Sequence, residues 1–223
     1  MKYILNIETS TTNCSVALAK DGETVCIKED NSLKYSHAER LHVYIDEVLK
    51  IANIQTSELA AVAVSKGPGS YTGLRIGVSA AKGLCFALDI PLISVPTLEA
   101  LAYKIQIKKG CIVAMLDARR MEVYASTFDS DYSCIEPTDA KILDENSYGN
   151  ILQNQSVHFV GTGVDKTKTI IQHPNAYFDS QLPSAEQMCR LSFNKFQAEE
   201  FEDLAYFEPF YLKDFIAIPS KKN

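Results

Sequence analysis

The sequence lacks several features that would define its function at once. It has no run of the roughly 18 apolar residues that a membrane-spanning helix needs, so we expect no transmembrane segment. No signal-peptide pattern precedes the strand-like residues 3–7, and we therefore expect a cytoplasmic protein. The six cysteines are widely spaced and form no Cys-x-x-Cys pair, which favours buried reduced thiols over a disulfide framework or a zinc site.

Nucleotide-binding motifs are missing too, although the glycine-rich residues 66–77, KGPGSYTGLRIG, invite the comparison. A Walker A loop continues with Lys and then Ser or Thr after its last glycine, whereas Gly73 is followed by Leu and Arg. A dinucleotide fingerprint needs Gly-x-Gly-x-x-Gly, and the spacing of Gly67, Gly69 and Gly73 is one residue too long. The order strand, glycine turn, helix still indicates a backbone that passes close to a phosphate, to a packed neighbouring element or to another chain.

Catalytic and metal-binding patterns are also scarce. The sequence has neither a Gly-x-Ser-x-Gly nucleophile elbow nor a His-Glu-x-x-His motif. His37 and His42 lie five residues apart on a predicted helix and point to different sides of it, so they cannot share a metal. His158 and His173 have no ligand partner nearby in the sequence. We therefore predict no catalytic residue, no metal site and no cofactor, and the net charge of −6 argues against nucleic-acid binding by this chain alone.

What the sequence does contain is a repeated pattern of strands and helices. The first part is predicted to hold strands at residues 2–8, 14–19, 24–28, 60–64 and 92–95, and helices at residues 37–52, 73–88 and 98–105. Ser36 and Glu39 form a capping box for the first of these helices. From residue 108 the pattern restarts, with strands at residues 111–116, 122–128 and 157–160 and helices at residues 144–153 and 184–196, the last one capped by Ser184. This indicates a duplicated α/β protein, with an N-terminal lobe at residues 1–107 and a degenerate C-terminal lobe at residues 108–223.

An acid ends the first strand of each half: Glu8 in the first and Asp117 in the second. Such an acid at a cleft could hold a magnesium-bound phosphate. The turn after Glu8 is rich in hydroxyl groups, and we take Glu8, Thr9, Ser10 and Thr11 as a vestigial phosphate site. The turn after Asp117, ARRM, has no glycine, so its side chains would keep a phosphate away from the backbone.

Several short motifs together resemble the TsaB (YeaZ) family. They are IETS at residues 7–10, SHAE at residues 36–39, the glycine-rich residues 66–77, AKGL at residues 81–84, DARRMEVY at residues 117–124 and EPFYLK at residues 208–213. In the last of these, Lys213 replaces the arginine that ends the family's Pro-x-Tyr-Leu-Arg motif. The similarity is dense over residues 1–103 and patchy beyond them.

The resemblance implies two ribonuclease-H-like lobes of the actin, sugar-kinase and chaperone-ATPase type. It also implies a role in making threonylcarbamoyladenosine beside the anticodon of tRNA, as a non-catalytic, dimerising subunit that binds and activates the catalytic paralogue TsaD, with the ATPase TsaE joining them. TsaD-like proteins carry His-x-x-x-His after the strand that corresponds to residues 92–95, and the segment VPTLEAL at residues 95–101 contains no histidine. The absence of these metal-binding histidines favours a non-catalytic subunit whose role is to bind a partner through its surface.

The first two helices are the predicted partner interface, with TsaD or with a second copy of the chain in a homodimer. The proposed contact residues are Leu41, Tyr44, Ile45, Val48, Gly73, Gly77, Ala80, Ala81 and Leu84. An apolar stripe beside small residues would allow two helix pairs to pack closely. The alternative is that these faces cover the protein's own sheet.

Two other functions stay open at this stage. The family has been classed with glycoproteases, so the chain could be a metallopeptidase or an ATPase with its own activity, although no metal ligand set or activated nucleophile is visible. It could also contact tRNA through Arg75, Arg119 and Arg120, and only inside an assembled complex.

Overall fold

The first of two mixed five-stranded sheets is built from β1 (Tyr3–Glu8), β2 (Cys14–Lys20), β3 (Glu23–Asp30), β4 (Leu59–Gly67) and β5 (Leu92–Pro96). The computed structural model describes residues 1–30 and 37–213. The strand order is β3-β2-β1-β4-β5; β1 pairs antiparallel with β2 and parallel with β4, and β4 pairs parallel with β5.

The second sheet repeats this topology. It contains β6 (Cys111–Asp117), β7 (Glu122–Asp129), β8 (Cys134–Ile142), β9 (Val157–Val160) and β10 (Ala176–Asp179). Read from β8, the order is β8-β7-β6-β9-β10. Strand β6 pairs antiparallel with β7 and parallel with β9, as β1 does with β2 and β4 in the first sheet. The structure therefore confirms the expected fold class: α/β, with two ribonuclease-H-like lobes of the actin, sugar-kinase and chaperone-ATPase type.

Six α-helices pack on these sheets in the described part of the chain: α1 (His37–Ala52), α2 (Tyr71–Leu88), α3 (Thr97–Ala102), α4 (Gly149–Leu152), α5 (Val164–Ile170) and α6 (Ala185–Gln197). The alternation of side chains along β1 divides the first core in two. Leu5 and Ile7 pack with α1 and α2, whereas Ile4 packs with Met188 of α6. No helix within the described ranges combines the length and apolar character that a membrane crossing requires.

Helix α3 joins the two sheets. Although it follows the first sheet in the chain, its Leu98 and Leu101 are fully buried against Ile112, Ala114 and Phe128 of the second sheet. The lobes thus share one apolar joint on this side of the molecule.

The position of α6 corrects the predicted content of the C-terminal lobe. Residues 108–223 were expected to form one lobe, but α6 packs on the first sheet, where Met188 and Cys189 bury the face that carries Ile4 and Ala17. The sequence does not predict that α6 packs back on the first sheet, because its apolar stripe could pack on either sheet.

Most predicted elements are found, including α1 at its predicted bounds and Ser184 as the N-cap of α6. Ser36 lies outside the described residues. The predicted helix at residues 144–153 is wrong in length, because only the short α4 forms there, and α3 ends at Ala102 rather than at residue 105. Within the described residues, two strands and one α-helix were not predicted, β8, β10 and α5, nor was a short 3-10 helix at Thr56–Glu58. Strand β8 is an exposed edge strand that contains Pro137, so it lacks the apolar alternation on which a strand prediction depends.

Candidate functional site

The glycine turn between β4 and α2 passes close to the β1–β2 hairpin of the same chain. The backbone N–H of Ser70 donates to the carbonyl oxygen of Ser10 at 2.6 Å. A Cβ on Gly69 would lie 2.5 Å from that oxygen, and one on Gly73 would overlap the carbonyl oxygen of Thr9. Of the three neighbours that the sequence left open for this turn, the structure thus places a packed element of the same chain beside it.

Glu8 faces inward and holds the hairpin in place. It is fully buried, and its Oε1 accepts hydrogen bonds from the backbone N–H of Ser10 at 2.6 Å and from Oγ of Ser65 at 3.0 Å. Burial raises the pKa of this carboxyl group, which weakens it as a ligand for a cation. Glu8 and Thr9 are therefore poorly placed for the predicted vestigial phosphate site, and only Ser10 and Thr11 of that set line the cleft described next.

A cleft of about 1000 Å³ separates the two sheets. Residues 10–12 and the glycine turn at residues 68–73 form one wall, and residues 116–119 with Tyr124 and Thr162 form the other. Residues 210–213 also line the cleft, as do His37, Ala38, Ile76 and Leu182. The cleft occupies the place where the two acid-ended strands were expected to meet.

The turn between β6 and β7 is filled by side-chain contacts. Lys166 donates to the carbonyl oxygens of Arg120 at 2.6 Å and Glu122 at 3.0 Å, and it pairs with Oδ2 of Asp117 at 3.0 Å. Arg119 and Arg120 adopt φ angles of 69° and 49°, a left-handed backbone that disfavours residues with a Cβ. Because Lys166 already neutralises Asp117 and the turn has no glycine, this wall is poorly shaped for a phosphate.

The histidines do not converge on one site. Nε2 of His37 lies 2.8 Å from the carbonyl oxygen of Thr11, and burial lowers the pKa of His37. His158 stacks on Tyr177 with ring centroids 4.7 Å apart, and burial lowers its pKa as well. Over residues 1–30 and 37–213, no three His, Cys, Asp or Glu side chains are close enough to hold a metal ion.

A second concavity of about 770 Å³ lies on the outer surface of α1 and α2. Its lining residues, which define the α1–α2 groove, are His37, Ala38, His42, Tyr71, Thr72, Arg75, Ile76, Ser79, Ala80, Gly83 and Leu84. Gly83 is exposed, and a Cβ there would meet nothing within 4 Å. The groove therefore has room for close approach from outside the chain.

The predicted interface residues must be corrected against this groove. Seven of the nine are buried in the protein's own core or against its own hairpin: Leu41, Tyr44, Ile45, Val48, Gly73, Gly77 and Ala81. Only Ala80 and Leu84 are half-buried and line the groove. The strongest apolar stripe of an amphipathic helix covers its own sheet, which is why the sequence pattern selected residues that the protein's own core buries. The small residues Ser79, Ala80 and Gly83 were the available signal for the outer face.

Two lobes of one topology around a cleft, with Lys166 filling the β6–β7 turn, define a two-lobed α/β protein of the actin and sugar-kinase type. Residues 31–220 match the family model described as TsaD, tRNA N6-adenosine threonylcarbamoyltransferase. The chain is 30% identical over 223 residues to the tRNA threonylcarbamoyladenosine biosynthesis protein TsaB of Haemophilus influenzae, covering 95% of this chain and 93% of that protein.

Two further relatives agree. The TsaB protein of Escherichia coli is 30% identical over 236 residues, covering 98% of this chain and 99% of that protein. The solved structure of YeaZ from Pseudomonas aeruginosa superimposes with a TM-score of 0.81 at 28% identity, covering 95% of this chain and all of that one. The chain therefore belongs to the TsaB (YeaZ) family.

Proposed function

We propose that the protein acts in the formation of threonylcarbamoyladenosine in tRNA, as a non-catalytic subunit that binds and activates a catalytic TsaD-type paralogue. The observation that carries this proposal is the contrast between the two concavities. In the cleft, Glu8 is bonded within the β1–β2 hairpin and Lys166 occupies the β6–β7 turn, whereas the α1–α2 groove is open and includes the exposed Gly83.

A non-catalytic role is supported by what occupies the cleft walls. The carboxyl group of Glu8 is engaged with the hairpin, and Asp117 is paired with Lys166. The position of the His-x-x-x-His motif of TsaD-like proteins is taken by the start of α3, where Thr97 is fully buried. No group in this set is both exposed to the cleft and free to activate a water molecule or hold a metal.

The α1–α2 groove is the proposed docking surface, and residues 1–107 carry it. Its floor has small side chains at Ala38, Ser79, Ala80 and Gly83, so an approaching helix could come close to the α2 backbone. The proposed occupant is the corresponding helix pair of TsaD, and a second copy of this chain takes its place in a homodimer when TsaD is absent. The ATPase TsaE then joins the cytoplasmic complex, and tRNA is bound through the assembly rather than by this acidic chain.

The direct test is to reconstitute tRNA modification with TsaD and TsaE from the same genome, with and without this chain. We expect modification only when the chain is present. Full modification in its absence would contradict the activating role.

The docking surface is tested by Ala80→Glu, which places a charge in the groove. We expect loss of co-purification with TsaD while the circular dichroism spectrum of the variant stays unchanged. Ala198→Glu is the matched control, because Ala198 is an exposed alanine at the end of α6, away from the groove. Equal binding by both variants would place the interface elsewhere.

The purified chain can also be tested for an activity of its own, as a metallopeptidase or an ATPase. We expect no heat of binding when the isolated chain is titrated with ATP or with zinc. Micromolar binding of either one would overturn the non-catalytic assignment.

A further inference from the structure

The chain beyond α6 follows a fixed path along the first lobe. The backbone N–H of Glu202 donates to the carbonyl oxygen of Leu92 at 2.9 Å, at the free edge of β5. Further on, Nζ of Lys82 donates to the carbonyl oxygens of Ala205 and Phe207, each at 3.1 Å. These bonds bring the chain round the edge of the sheet and onto the α2 side.

Residues 208–213, which we call the strap, are anchored first at the start of α2. The backbone N–H of Phe210 donates to the carbonyl oxygen of Lys66 at 2.7 Å. The ring of Tyr211 lies 5.0 Å from the ring of Tyr71, and its hydroxyl accepts a hydrogen bond from Nε of Arg75 at 3.3 Å. The Arg75 guanidinium also lies 4.3 Å from the centre of the Tyr71 ring, so the three side chains form one cluster.

The second anchor lies on the other lobe, only two residues further along. Nζ of Lys213 pairs with the carboxylate of Glu122, the first residue of β7. Because Glu122 is 19% exposed at its side chain, this pair is better shielded than an ordinary surface pair. The strap thus crosses from one lobe to the other along the cleft that it helps to line.

The strap and the α3 joint lie on opposite faces of the first sheet. Helix α3 and α6 share the face of Ile4 and Ala63, whereas the segment leading into the strap packs Phe207 on the face of α1 and α2. The lobes are therefore held by a continuous apolar core on one side and by two polar anchors on the other.

We propose that the strap is a releasable latch: it fixes the two lobes in the relative position seen here, and its release lets them move about the α3 joint and widens the cleft. Because the two connections between the lobes differ in chemistry, we expect the strap to release while the α3 joint stays intact. The α3 joint is a buried apolar core, whereas each strap anchor is a partly exposed ring contact, hydrogen bond or ion pair, for which water can substitute more readily.

The latch also shares residues with the α1–α2 groove, since Tyr71 and Arg75 belong to both. A partner carboxylate placed opposite Arg75 would compete with the Tyr211 hydroxyl for the guanidinium and so release the strap. This coupling rests on the proposed function, whereas the latch itself does not.

The latch is tested by measuring distances between spin labels on the two lobes of the full chain. The exposed Ser57 and Lys168 are replaced by cysteine for labelling, in a background where Cys26 and Cys134 are replaced by serine. We expect one narrow distance distribution for the intact strap. Tyr211→Ala and Lys213→Met should each give a longer mean distance and a broader distribution.

Tyr206→Ala is the matched control, because this tyrosine precedes the strap, is 84% exposed and should leave the distances unchanged. Distances that stay the same in Tyr211→Ala and Lys213→Met would overturn the latch. If Tyr211→Ala fails to fold, Lys213→Met decides alone, since its charge is 47% exposed and its removal opens no core.

Addition of TsaD to the labelled chain then tests the coupling. If TsaD binds and the label distance changes as it does in Tyr211→Ala, the coupling between groove and strap is supported. If TsaD binds and the distance does not change, the coupling is contradicted, but the latch proposal is not affected. If TsaD does not bind, the proposed function is contradicted. The distances measured on the chain without TsaD would still decide whether the strap is a latch.

Discussion

The backbone N–H of Ser70 donates to the carbonyl oxygen of Ser10 at 2.6 Å, at the point where α2 begins. This bond joins the glycine turn to the β1–β2 hairpin within the first lobe. The glycines of the turn therefore serve the chain's own packing. Their replacement should affect stability before it affects any binding event.

Gly73→Ala should destabilise the protein by about 1–3 kcal/mol or more, because the new methyl group would overlap the carbonyl oxygen of Thr9. The measurement is urea unfolding followed by circular dichroism. Gly83→Ala on the same helix is the control, since its methyl group would meet nothing within 4 Å. It should stabilise the protein by about 0.5–1 kcal/mol through helix propensity alone. A cost for Gly83→Ala equal to that of Gly73→Ala would contradict this account.

Glu8→Gln should remove a pH dependence of stability. Burial raises the folded-state pKa of Glu8 above its ordinary value of 4.5, so the unfolded chain ionises first as the pH rises. Wild-type stability should therefore fall from about that ordinary pKa up to the folded-state pKa and stay lowered above it. Glutamine mimics the neutral acid and does not titrate. The gain from Glu8→Gln, measured by urea unfolding across this range, should thus grow with pH. A gain independent of pH would show that folding does not raise the pKa of Glu8.

Ser184→Ala should cost about 1–2 kcal/mol of stability. Ser184 caps α6 by accepting from the backbone N–H of Glu186 at 3.4 Å, and it donates to Oε2 of Glu29 at 2.8 Å. Ser184→Thr keeps the hydroxyl and should lose less than half as much. Thermal unfolding of the three proteins compares them directly, and equal losses in both variants would point to packing rather than to the hydroxyl group.

Lys166→Met should loosen the turn between β6 and β7 and cost about 1–2 kcal/mol, because two backbone carbonyl groups and Asp117 lose their common donor. Hydrogen exchange should become faster at the amide of Ala118, which donates to the carbonyl oxygen of Glu122 at 3.0 Å, and at the amide of Glu122, which donates to the carbonyl oxygen of Arg119 at 3.1 Å. Lys168→Met on the same helix is the control, since Lys168 is exposed. Unchanged exchange in Lys166→Met would mean that the turn holds its left-handed backbone without the lysine.

The sequence was sufficient for the parts of the fold that strong periodicity specifies. The spacing of Leu41, Ile45 and Val48 predicted α1 at its observed bounds, because an apolar stripe of that length and period is typical of a helix that packs on a core. Edge strand β8 was missed for the opposite reason: half-exposed residues carry little pattern. The two lobes were recognisable because both begin with an acid-ended strand and a hairpin.

The candidate site was less predictable, because its features depend on which elements meet. Nothing in the sequence says that Gly73 faces Thr9, or that Lys166 reaches back to Asp117, since both pairings cross long stretches of chain. The same limit explains the interface correction. Tyr44 and Val48 are apolar enough for a contact surface, and only the structure shows that their own sheet already covers them.

The return of α6 to the first sheet has a consequence for how the protein is made. The face that holds Ile4 and Ala17 is not fully covered until Met188 has been synthesised. About 90 residues separate the end of β5, the last strand of this sheet, from Met188 of the helix that completes the core. At a ribosomal rate of about 5–20 residues per second, this face stays incompletely covered for roughly 5–18 s. A nascent chain in that interval presents an apolar sheet surface to chaperones, and a fragment that stops at residue 107 would present it permanently.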